Sequence, residues 1–127
     1  MSGLRQLVLT AFLSICLGGC ALLPPDQARW SRHEIYFGEV PAAQWDQFVE
    51  DTITPEFPDG FTVVEAAGQW REASGRIIRE RSHLLMIIAQ DPAGTHAKLQ
   101  KISDQFKARF GEETVLMVQS AVQVEFR

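Results

Sequence analysis

A chain of 127 residues with 12 basic and 16 acidic side chains carries a formal charge of −4. That length supports one domain with a modest core, and an acidic balance argues against nucleic acid, whose phosphates need a basic surface. The two cysteines and three histidines show no metal-ligand spacing, so neither a zinc site nor any other cofactor is expected.

The first 19 residues read as a targeting segment. Arg5 gives a thin positive start, and Leu7 to Leu17 is an apolar run too short for a permanent span. It ends in Leu17-Gly18-Gly19-Cys20, which resembles the lipobox of bacterial lipoproteins, with Cys20 as the acylated residue. Cys16 leaves with the leader and Cys20 takes lipid, so the mature chain has no free thiol and no disulfide. Losing Arg5 makes its charge one unit more negative. Residues 20–30, stiffened by Pro24-Pro25, form a short tether that holds the domain of residues 31–127 within a few nanometres of a membrane.

His33 to Val40 is expected as the first strand, with Ile35 and Phe37 alternating against Glu34 and Tyr36. Pro41 opens a helix whose apolar stripe is Trp45, Phe48, Val49, Thr52 and Ile53, at i, i+3, i+4, i+7 and i+8. Pro55 should stop it by forcing Thr54 out of the α region. Pro58-Asp59-Gly60 is a turn, Phe61 to Ala67 a second strand continued past Gly68 to Trp70, and Arg76 to Gln90 a third strand joined to it by a hairpin. Asp91-Pro92 caps and opens a second helix with Leu99, Ile102, Phe106 and Phe110 on its inner face, Lys98, Lys101, Lys107 and Arg109 outside, and Gly111 just beyond its end. Thr114 to Phe126 is the last strand, with Gln119-Ser120-Ala121 as a place where it bulges or breaks.

This order predicts an α+β, ferredoxin-like βαββαβ sandwich: a four-stranded antiparallel sheet with both helices on one face. Right-handed crossovers are expected to set the first and third strands side by side and parallel in its middle.

The third strand bears the candidate site. Arg79, Arg81, His83, Leu85 and Ile87 share one face; Ile78, Glu80, Ser82, Leu84, Met86 and Ile88 share the other. Both end apolar, and two helices cover only one. A homodimer packed sheet to sheet is one expected cover for the second, with a ligand cavity or the last strand as alternatives. Arg79, Arg81 and His83 are expected on the open side. With Tyr36, Trp70 and Arg71 near them, they would grip an anion or carboxylate through a guanidinium fork and an aromatic wall. The competing reading is a solvated strand end, its charges paired across strands with Glu80 or Glu65. No catalytic constellation appears: no P-loop, no nucleophile elbow and no dinucleotide fingerprint.

The pieces Tyr36-Phe37-Gly38, Trp45, Thr54-Pro55, Phe57-Pro58-Asp59-Gly60-Phe61, Gly68-Gln69-Trp70, Ile78-Arg79-Glu80 and Lys107-Ala108-Arg109-Phe110-Gly111 together resemble domain of unknown function 3574, across residues 33–126. The resemblance implies an exported or lipid-anchored single domain and supplies no catalytic residues. Pro41-Ala42-Ala43 departs from the hydroxyl or acidic cap usual at a helix start. The expectation is a lipid-anchored, non-enzymatic binding or assembly domain on the periplasmic face of the outer membrane, with a further envelope protein as a conceivable partner. The alternative is a small enzyme or anionic-ligand sensor on the open sheet face.

Overall fold

The computed structural model describes residues 30–127. The expected leader, Cys20 and the tether up to residue 29 lie outside the described residues. Strand β1 (Ser31–Phe37), helix α1 (Ala42–Phe48), strands β2 (Thr62–Arg71) and β3 (Ile77–Ala89), helix α2 (Pro92–Phe110) and strand β4 (Leu116–Ala121) follow in the expected order. The sheet runs β2-β3-β1-β4 with every pairing antiparallel. This is the ferredoxin-like α+β sandwich. No helix among the described residues is long and apolar enough to cross a membrane.

The expectation that β1 and β3 run parallel is overturned: they are neighbours, but Ser31 faces Ala89 and Phe37 faces His83. Helix α1 returns the chain so that β2 runs parallel with β1, and the hairpin then reverses β3. The crossover rule governs the first step and says nothing of the second.

In β1 the odd positions Ser31, His33, Ile35 and Phe37 are all buried. With Leu85 and Ile87 of β3 they meet Trp45, Phe48 and Ile53 from the first helix and Leu99, Ile102 and Phe106 from α2. Phe37 sits among three rings, 4.6 Å from Phe106, 5.5 Å from Trp45 and 6.0 Å from Phe48 between centroids. Tilted and edge-on aromatic packing of this kind adds to the burial term.

Helix α1 begins without a side-chain cap; the Pro41 carbonyl accepts the N–H groups of Gln44 and Trp45. It continues into a π-helical turn, Val49–Ile53. Thr54 stays in the right-handed helical region at φ −55° and ψ −42°, contrary to expectation. The wide turn resolves the conflict with Pro55: the Val49 carbonyl accepts both the N–H and the hydroxyl of Thr54, and the opened backbone clears the proline ring. Helix α2 ends as the sequence indicates. Asp91 accepts the Gly94 N–H at its start, and Gly111 takes φ 75° at its end. Three cations of its outer face reach the neighbouring segment: Lys98 and Lys101 to Glu56, and Arg109 to Asp51.

Strand β4 stops at Ala121, short of the expected Phe126, because its ladder partner β1 begins at Ser31. Gln119, Ser120 and Ala121 keep register and do not bulge. Beyond them Phe126 packs edge-on against Trp30 at 6.1 Å and is otherwise exposed.

Candidate functional site

β3 outruns β1. Its residues up to Ser82 pair only with β2, so the two strands project past the sandwich as a ribbon. Arg79 and Arg81 lie there, and so does Arg71, opposite Ile77. Parity settles which side each residue occupies. Arg79, Arg81 and His83 share the side of Leu85 and Ile87, the helix side, so the open-face placement is overturned. Tyr36 and Trp70 stand on the other face with Leu84 and Ile78. The six expected binding residues are therefore split across the sheet, and Arg71 sits toward the ribbon tip.

Two of them do meet. β1 leaves the ladder at Phe37, and the chain turns through Gly38 and Glu39 into α1. A Cβ at Gly38 would sit 2.9 Å from Oε1 of Glu112, whose carboxylate packs against this turn. The turn leaves a cleft of about 280 Å³ lined by Glu39, Val40, Pro41, Ala42, Glu65, Arg81, Ser82 and His83. Glu65 faces His83 across β2 and β3 and forms an ion pair with Arg81. That is the cross-strand pairing of the competing sequence reading. Arg79 donates to Gln69 instead of gathering with Arg81. The Glu39 carboxylate accepts the backbone N–H of Arg81 at 3.4 Å.

His83 is 7% exposed, and its ring lies flat on Trp45, 4.1 Å between centroids and 5° between planes. Its Nδ1 has no hydrogen-bond partner among the described residues. A buried polar nitrogen left unpaired costs about 1–3 kcal/mol. Glu39 and Glu65 were not among the expected site residues. Glu65 was legible only as a charge partner, and Glu39 lies in a connection whose path the sequence does not specify.

On the open face, Tyr36 donates to Glu34 at 3.0 Å and Arg32 pairs with Glu34 at 3.1 Å. The bond to Glu34, then desolvation, raises the Tyr36 pKa above its ordinary value. This polar row is flanked by Leu84, Met86 and Ile88 of β3 and by Leu116 and Val118 of β4.

A second buried imidazole lies on the helix side. Nε2 of His33 is hydrogen-bonded to Ser31 Oγ at 2.8 Å, and that hydroxyl also lies 3.4 Å from the Ala89 carbonyl. Burial first, and the nearby His96 second, push the His33 pKa below its ordinary value. No cluster of three or more His, Cys, Asp or Glu side chains suited to a metal occurs among the described residues.

Solved structures share the fold at low identity. A phage SAM lyase in complex with S-methyl-5′-thioadenosine is 19% identical with a TM-score of 0.57, covering 74% of this chain and 82% of its own. CutA from Synechococcus elongatus is 8% identical with a TM-score of 0.52, covering 76% and 79%. The periplasmic divalent cation tolerance protein CutA from Archaeoglobus fulgidus is 8% identical with a TM-score of 0.53, covering 77% and 88%. Among functionally curated proteins none matches. Residues 31–126 match the model of the family described as protein of unknown function (DUF3574), the one the sequence motifs resemble, and the chain belongs to that family.

Proposed function

We propose that this protein is a membrane-tethered, non-enzymatic assembly domain of the bacterial envelope, and that its first partner is a second copy of itself. The leader-like run ending at Cys20 supports lipid tethering, and Ala21 after it favours the periplasmic face of the outer membrane. One observation carries the assembly reading: the sheet face turned away from the helices is largely apolar and, among the described residues, uncovered. Leu116 is 60% exposed, Trp70 49%, Ile88 48%, Val64 43% and Val118 40%, all on that side. Exposed apolar residues on β2, β3 and β4, on both sides of the polar row of β1, are unlike the scattered ones normal on a surface.

Size and charge favour a second copy. Four strands about 4.8 Å apart and about six residues long give a flat area of roughly 400 Å². Side-chain relief and the projecting ribbon bring this to the order of the ~800 Å² per partner of a standard interface. The charged pair in the middle, Arg32 with Glu34, is self-complementary: a two-fold axis over β1 would set Arg32 of each copy beside Glu34 of the other.

Sedimentation equilibrium of the full chain tests this. The wild type should be dimeric at micromolar concentration, and Val118→Glu should weaken association at least tenfold with an unchanged circular dichroism spectrum. A wild type that stays monomeric at about 100 μM, well above the micromolar Kd range, would overturn the proposal.

A further inference from the structure

The cleft beside α1 lies on the helix side of the sheet, away from the assembly face, and its chemistry is independent of that reading. Two groups in it lack partners of the right kind. Arg81 is engaged with Glu65, which leaves Glu39 holding only the backbone N–H of Arg81 and no cation among the described residues. His83 lines the same cleft; Trp45 covers its ring face and its unpaired Nδ1 is sealed from solvent, so the ring meets the cleft through the rest of its edge. Among the charged side chains of the lining, two carboxylates, Glu39 and Glu65, face one guanidinium, Arg81. A carboxylate without a counter-cation beside an imidazole edge calls for a cation with several N–H donors. Val40, Pro41 and Ala42 complete the lining with an apolar wall suited to a short aliphatic body. A volume of about 280 Å³ fits a small molecule and not a polymer.

We infer that this cleft binds a small aliphatic amine, its ammonium held by Glu39 and its N–H donors shared with His83. Glu65, paired with Arg81 at the rim, adds a second carboxylate on that side of the cleft for the far end of a diamine.

The test uses the full chain and 1,4-diaminobutane as probe, read by the ring resonances of His83 and by Trp fluorescence, to which Trp45 contributes. Saturable shifts at the His83 ring, with no matching response to acetate or phosphate, support the site. Glu39→Gln, an exposed substitution that leaves the core untouched, should weaken binding about tenfold. His83→Gln should remove the fluorescence response; if that variant fails to fold, the wild-type ring shifts and Glu39→Gln still decide. The inference is overturned if the amine gives no saturable shift at 10 mM, if Glu39→Gln binds as the wild type does, or if an anion alone produces the response. Repeating the titration with Val118→Glu separates the two readings: failure of self-association leaves amine binding intact.

Discussion

His33 makes stability depend on pH, with a sign fixed by its burial. Its folded pKa lies below the ordinary 6.5, first because burial disfavours the imidazolium and second because His96 is close. Between those two values the unfolded chain binds the proton and the folded one does not, so stability falls as pH drops from above 6.5 toward the folded value, then levels off. The carboxylates act lower. Asp51, held down by Thr52 and then by Arg109, and Glu56, held down by Lys101, start from ordinary values of 3.8 and 4.5. Their stabilisation is present above those values and is lost as pH falls through the still lower folded ones. Urea melts at pH 7.5, 6.5 and 5.5 should therefore show a decline in the wild type that His33→Gln abolishes. A variant that keeps the decline would move the titration to another group, with His96 the nearest imidazole. The strand pattern already hinted at this residue: His33 shares parity with Ile35 and Phe37, and in a strand that means the core face.

The same logic at the scale of elements separates what was legible from what was not. Helix α2 carries its own punctuation, Asp91 and Pro92 before it and Gly111 after it, and all three act as their chemistry requires. Gly111 at φ 75° accordingly gives a direct test: Gly111→Ala should cost about 1 kcal/mol in urea unfolding, since an L side chain resists that conformation. An unchanged midpoint would mean that the helix end rearranges freely. Strand β3 has no such punctuation. Both its faces finish apolar, so alternation shows which residues are companions but not which companions lie under the helices. The deciding fact is register. His83 faces Phe37 and Leu85 faces Ile35, and those partners are core by the pattern of β1. The parallel expectation for β1 and β3 hid this, since it assigned no such pairing. The π-helical turn was equally out of reach. Pro55 does threaten the preceding turn, but whether the backbone answers by leaving the helix or by widening it depends on what packs against it, here Ile53 in the core and Asp51 held by Arg109.

For the molecule as a whole, one sheet separates two surfaces of different chemistry, and the separation is testable. The helix side encloses an aromatic core, with a polar cleft at its edge where β1 ends. The opposite side is a broad apolar field around the Arg32, Glu34 and Tyr36 row. Odd and even residues of the same strands serve these two sides, so a substitution on one reaches the other only through the backbone, and effects at well-separated sites add. The tether proposed above is a third module, placed by sequence before Trp30. Confining tethered domains to a membrane raises their effective concentration and favours pairing without any new contact. Three variants should consequently have non-overlapping effects. Cys20→Ser should release the protein from the membrane fraction while purified protein still pairs and binds the amine. Val118→Glu should stay membrane-bound and bind amine as a monomer. Glu39→Gln should stay membrane-bound and paired but lose about tenfold in amine affinity. Fractionation, sedimentation and titration read the three properties separately. Loss of amine binding in Val118→Glu would show that the cleft is completed by the second copy, and would join the two surfaces into one site.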